Sequence, residues 1–251
     1  MENVTSTKKT VSLSWDNICV NLPAKKSLFG NKIKREKVEI LKHVHGNVQP
    51  GTLLAIMGAS GSGKTTLLNV LTARSGSDLK ISGRILVNGQ QMGSGIKKIS
   101  AYVQQDDVFC GQLTVREHLW FHAMLRLDEK MSISEKEKKV DDVLQELGLT
   151  KCKDSVIGVP ERLKSISGGE RKRLAFAAEV LTDPGLLFCD EPTSGLDSFM
   201  AESVVQNLKT MSRKGRTILC TIHQPSSQTF GLFDKFVHFL NDIFRTFFFF
   251  L

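Results

Sequence analysis

The chain has 251 residues, 41% of them hydrophobic, enough apolar material to bury the core of one large domain with a subdomain. No run of about 18 apolar residues occurs, so no membrane-spanning helix is expected, and the amino-terminal stretch lacks the apolar core of a secretory signal. Against 26 acidic residues stand 34 Lys and Arg, a formal charge of +8, but no aromatic residues interleave them as a stacking platform would require, which argues against nucleic acid as a partner.

In chain order, residues 11–50 read as a β region. Its basic stretch at 25–37 is a solvated loop between strands, or a patch facing an anionic membrane surface. The run Leu53-Leu54-Ala55-Ile56-Met57 is wholly apolar and predicts a buried parallel strand. Gly58-Ala59-Ser60-Gly61-Ser62-Gly63-Lys64-Thr65-Thr66 follows it. The glycines let the backbone wrap a phosphate with N–H groups inward, and the helix predicted over 65–73 adds the positive end of its dipole. Lys64 is placed to reach the β- and γ-phosphates, and the Thr65 hydroxyl to ligate Mg²⁺. Gln105 follows a short strand.

Residues 106–180 read as a helical segment. Thr114 with Glu117 and Ser132 with Glu135 form capping boxes before helices running to 127 and 148. Ser167-Gly168-Gly169-Glu170 then opens another helix, with Leu174, Ala177, Ala178 and Leu181 on one face. Its first turn carries Arg171-Lys172-Arg173, three cations that oppose the dipole. They are either a solvated turn or charge set against a phosphate or an acidic partner.

Residues 186–189 form an apolar strand after the turn Asp183-Pro184-Gly185. Asp190 stands at its carboxyl end, where open α/β sheets bind ligands, and an Asp there holds Mg²⁺. Glu191 is the candidate general base for the attacking water. Ser194-Gly195-Leu196-Asp197 leads into a helix over 198–212, and His223 ends a strand over 217–222. The five cysteines are scattered without metal-ligand spacing, as incidental thiols would be.

This ordered set resembles the nucleotide-binding domain of ABC transporters, and within them the ABCG half-transporters, most closely the white-type eye-pigment precursor transporters. The likeness runs from about Trp15 to about Lys235. It implies an α/β fold: a P-loop (RecA-like) ABC ATPase core over about 51–105 and 181–240, an N-terminal antiparallel β region over about 11–50, and an inserted helical subdomain over about 106–180. It implies ATP and Mg²⁺ as cofactors. Gln105 becomes the Q-loop glutamine near Mg²⁺ and water, with Gln104 as the neighbouring alternative, and His223 the switch histidine at the γ-phosphate. Asp197 becomes the D-loop aspartate at a dimer interface. Ser167, Gly168, Gly169 and Glu170 become the signature that completes the ATP site of a second subunit.

The implied partner is a second ABC nucleotide-binding domain, in a homo- or heterodimer on the cytoplasmic side of a membrane. In the family a transmembrane domain follows; here the Phe-rich stretch 241–251 is expected to lie outside the domain as an atypical tail. The family's aromatic adenine stack is expected near residues 20–22, where no aromatic stands, and Trp15 is expected to be core. Two other readings stay open: a truncated non-catalytic partner of full-length half-transporters, and a soluble ABC ATPase outside transport.

Overall fold

A computed structural model describes residues 10–23, 25–26, 33–35, 38–106, 108–158, 166–240 and 243–247. Eleven strands, β1 (Leu13–Leu22), β2 (Lys25–Lys26), β3 (Ile33–Arg35), β4 (Val38–Val48), β5 (Leu53–Gly58), β6 (Lys80–Val87), β7 (Ser100–Val103), β8 (Leu186–Cys189), β9 (Thr217–Ile222), β10 (Lys235–Leu240) and β11 (Ile243–Phe247), form three sheets among these residues. The helices are α1 (Lys64–Leu71), α2 (Val115–Arg126), α3 (Ile133–Glu146), α4 (Gly168–Val180), α5 (Ser198–Arg213) and the short α6 (Ser227–Phe230).

The central sheet has the order β11-β10-β5-β9-β8-β7, with every pair from β10 to β7 parallel. Both of its faces are covered, which is why β5, β8 and β9 read as apolar runs rather than alternating ones. Leu54, Ile56, Leu186, Phe188 and Leu219 pack with α1 and with β1 of the antiparallel sheet. Leu53, Ala55, Met57, Leu187, Cys189, Ile218 and Cys220 turn the other way, onto α4, α5 and the helical subdomain. Trp15 is 2% exposed and belongs to the first of these cores.

The antiparallel sheet, ordered β4-β1-β6, corrects the sequence-based boundary. β6 pairs with β1, so residues 80–87 leave the stretch assigned to the ATPase core. They are mostly solvent-facing, and their pairing with β1 is too distant in sequence to leave a local mark. The basic stretch expected as a loop is partly a hairpin, β2 against β3. The carboxyl-terminal expectation is also corrected. β11 pairs antiparallel with β10, from Phe236 opposite Phe247 to Leu240 opposite Ile243. A β-favouring segment next to an unpaired sheet edge takes that edge. Residues 248–251 of the expected tail lie outside the described residues.

Three helices open on capping boxes: Thr114 with Glu117, Ser132 with Glu135, and Ser167 with Glu170. The subdomain is tied internally by a two-pronged ion pair, Arg126 Nη1 and Nη2 to Glu179 at 2.8 and 2.9 Å. It is tied to the core through Glu146 at the end of α3. The Glu146 carboxylate accepts from Lys214 Nζ at 2.9 Å and from Arg216 Nη1 at 2.8 Å, and Arg216 also donates to Asp183.

Burial alone would raise the Glu146 pKa. The Lys214 hydrogen bond and the Arg216 charge outweigh it and hold the carboxyl below the usual range. A carboxyl held low when folded contributes stability above its unfolded value and loses it as pH falls through the folded one. Glu146→Gln is therefore expected to lower stability by about 1–3 kcal/mol at neutral pH, since Lys214 and Arg216 lose the charge of the half-buried carboxylate they share. The gap between parent and variant should close in acid. Thermal melts of both across pH check this; a gap that persists at acid pH would show that Glu146 acts through shape and not through charge.

Candidate active site

The carboxyl ends of the parallel strands bring the candidate residues together. β5 runs directly into the phosphate-binding loop, and Gly63 is the N-cap of α1 with φ 97°. A Cβ there would lie 2.8 Å from Leu41 Cδ2 of β4. One on Gly58 would lie 2.9 Å from Phe239 Cβ of β10. Both positions are thus closed to larger residues, by conformation at Gly63 and by crowding at both. The tip, Ala59 to Gly61, is exposed. Ser62 Oγ is buried without a hydrogen-bond partner, a polar group that a phosphate oxygen lying in the loop would satisfy.

Lys64 is only 5% exposed. Its Nζ lies across the loop and donates to the carbonyls of Gly58 and Ala59, both at 2.9 Å. An ammonium has three N–H groups, so one remains to meet an anion. The loop, the helix end and Lys64 fit a polyphosphate. Thr65 stands exposed at the same helix end, with Thr66 half-buried behind it.

Asp190, 5% exposed at the end of β8, accepts three hydroxyl hydrogen bonds: Thr65 Oγ1 at 3.1 Å, Thr221 Oγ1 at 2.6 Å and Tyr102 OH at 3.2 Å. Burial first, and then the Asp190 charge, push the Tyr102 phenol above its ordinary pKa, so it stays a donor. Thr65, Asp190 and Gln105 offer hard oxygen donors of the kind Mg²⁺ takes. Among the described residues no group of three or more His, Cys, Asp and Glu side chains converges as a metal site. The oxygens beside the Asp190 carboxylate are instead the hydroxyls of Thr65, Tyr102 and Thr221.

Glu191 has φ 45°, a left-handed conformation that costs a non-glycine residue about 1 kcal/mol or more. Two contacts hold it there: its N–H donates to Thr221 Oγ1 at 2.8 Å, and its carbonyl accepts from Ser194 N at 3.1 Å. Its carboxylate accepts from Gln105 Nε2 at 3.0 Å. Gln105 therefore reaches the candidate base, whereas Gln104 lines a cleft of about 180 Å³ with Phe109, His118, His122 and Glu179. Burial, with the nearby His122, pushes His118 down to about 4. His223 is exposed just beyond β9.

The remaining candidates stand apart from this group. Ser167 Oγ and N both donate to Glu170, and Glu170 N donates back to Ser167 Oγ. A Cβ on Gly168 would lie 3.1 Å from Leu196 Cδ2, so the signature abuts the turn before α5, while Gly169 is buried. Asp197 caps α5, accepting from Met200 N at 2.9 Å. Among the described residues no hydrogen bond links Ser167, Glu170 or Asp197 to the phosphate loop.

The basic turn is used within the fold. Burial alone would raise the Glu170 pKa; the hydrogen bonds from Ser167 and, after them, the charge of the turn's third member, Arg173, help hold that carboxyl below the usual range. Arg171 donates to the carbonyls of Ile157 and Gly158, both at 3.1 Å, and stacks over Phe109. Lys172 is buried against the main chain of Gln105.

The family model described as ABC transporter matches residues 41–194. The chain belongs to the ABC transporter family. What it carries is the nucleotide-binding ATPase domain of the ABCG half-transporters. It is 55% identical over 215 residues to Protein white of Drosophila melanogaster, covering 84% of this chain and 31% of that protein. It is 48% identical over 232 residues to the ABC transporter ATP-binding protein/permease wht-1 of Caenorhabditis elegans, covering 89% and 35%. Against the broad substrate specificity ATP-binding cassette transporter ABCG2 of Bos taurus the identity is 47% over 223 residues, covering 89% and 33%. The chain spans about a third of the length of these relatives.

Sequence reasoning missed Thr221 and Tyr102. The signals were slight: a second hydroxyl in the mostly apolar strand over 217–222, and the chain's single tyrosine two residues before Gln104. Thr221→Val keeps the shape but leaves Asp190 short of one donor and the Glu191 N–H without its acceptor. It is expected to lower ATP turnover about ten-fold and stability by about 1–3 kcal/mol. Phosphate-release rates and thermal melts read both; unchanged turnover would show that Thr221 does not set the carboxylates.

Proposed function

We propose that this domain binds ATP with Mg²⁺ and hydrolyses it to power transport by an ABCG-type half-transporter, working on the cytoplasmic side of a membrane. It would do so head to tail with a second nucleotide-binding domain, from the same chain or another half-transporter. The observation that carries the reading is the meeting of Lys64, Gln105, Asp190 and Glu191 at the carboxyl ends of β5, β7 and β8.

Glu191 takes the proton of the attacking water, and Gln105 orients its carboxylate. Lys64, the loop N–H groups and the N-terminus of α1 absorb the charge that develops on the γ-phosphate. Thr65, Asp190 and Gln105 would hold Mg²⁺, which when bound would offset phosphate charge. His223, one residue past β9, supplies a further donor toward the γ-phosphate. The signature residues Ser167 to Glu170, with Asp197, stand outside this cluster. They serve the partner's nucleotide in this reading.

Glu191→Gln is expected to retain ATP binding and to lose at least about 100-fold in hydrolysis, the lower range for a general base. Lys64→Ala should weaken binding as well. Nucleotide titration and phosphate release, measured separately, decide this; full turnover in the Glu191 variant would remove it as the base. The same assay answers the reading of a non-catalytic partner, which requires that the unaltered chain release no phosphate.

Pairing has its own signature. With two chains needed for a complete site, specific activity should rise with protein concentration, and Glu191→Gln with ATP should sediment as a larger species than without, because bound ligand stabilises the state that holds it. Activity strictly proportional to concentration, from a species that stays monomeric, would show hydrolysis by one chain alone.

A further inference from the structure

The basic turn of α4 is not used in the mechanism above, and its buried member has a place in it. Lys172 is 6% exposed. An ammonium so far from water is retained only against good acceptors. Its Nζ donates to the main-chain oxygen of Gln105 at 2.6 Å, across 67 residues of sequence. From that same residue, Nε2 donates to Glu191 Oε2 at 3.0 Å. The ammonium therefore grips the backbone of the residue whose side chain holds the base.

At its other end Lys172 belongs to the signature helix, five positions after Ser167 (172 − 167 = 5), about one and a half helical turns. Over that length a hydrogen-bonded helix moves as a unit, so a shift of its capped N-terminus reaches the ammonium. We propose that Lys172 is a positioning residue for hydrolysis. It passes the setting of the signature helix to the main chain of the Q-loop and so places the Gln105 carboxamide against Glu191. This rests on the reading of Glu191 as the base.

The test is a double-mutant cycle in the full chain, with kcat, KM for ATP and thermal melting measured for each member. Lys172→Met keeps the apolar stem and removes the ammonium. It is expected to lower kcat about ten-fold or more, the scale of one charge-assisted hydrogen bond. KM should stay within about two-fold, and Lys172→Arg should restore most of kcat. In a Gln105→Ala background the main-chain acceptor remains, but no carboxamide is left to place. There Lys172→Met should cost nothing further.

An equal kcat loss in both backgrounds would show a role independent of Gln105 and overturn the proposal, as would an unchanged kcat in Lys172→Met alone. Should Lys172→Met fail to fold, Lys172→Gln passes through the same cycle, and the same two results overturn the proposal. Glu191→Gln is assayed beside them. Sustained turnover there sinks the assignment of the base whatever Lys172 does, so the two failures are told apart.

Discussion

The site is organised around a carboxyl group that has almost no access to water. Asp190 at the end of β8 is 5% exposed, and a buried carboxylate is tolerated only when its oxygens are answered. The three hydroxyls that answer it come from three other elements: Thr65 from α1, Tyr102 from β7 and Thr221 from β9. Satisfying one side chain therefore fixes the phosphate loop, the approach to the Q-loop and the strand leading to His223 relative to one another. Thr221 then does a second task, accepting the N–H of Glu191 and holding that residue in a conformation it would not adopt alone. The candidate base is aimed by the same hydroxyl that completes the buried aspartate.

What is legible in the sequence follows from the range of the physics involved. Buried parallel strands advertise themselves as short apolar runs, and β5, β8 and β9 stand where those runs predict. Capping boxes are four-residue patterns, so the starts of α2 and α3 are readable to the residue. The phosphate loop is likewise local. The misses are contacts between distant positions. Thr221 meets Asp190 across 31 residues and Tyr102 meets it across 88, and neither hydroxyl disturbs the pattern of its strand. β6 joins β1 in a sheet that its own exposed sequence does not announce. β11 reads as a tail because a run of β-favouring residues gives no sign of the edge it will find.

The cations of α4 show how a local rule is overridden. Arg and Lys in a first turn oppose the helix dipole, and on that ground the turn reads as either solvated or aimed at an anion. Both are instead used as long arms toward carbonyl oxygens. Arg171 reaches Ile157 and Gly158, and Lys172 reaches Gln105. Carbonyls carry partial negative charge, so the unfavourable end of the dipole is offset within the fold.

A division of labour follows from which polar groups are already satisfied. Lys64 and Ser62 have hydrogen-bonding capacity left over, and both lie in the phosphate loop. At the signature the opposite holds. Ser167 and Glu170 satisfy each other, and Asp197 is occupied as a cap. The box answers the N–H groups of Ser167 and Glu170, so this helix start is capped without any ligand. It can meet an anion only by presenting its outer face. Gly168 is exposed there and carries no side chain, so a surface from a second molecule can approach its backbone closely. In the proposed pair the groups that break the bond thus belong to one chain, and a rigid, self-capped helix end closes the site from the other.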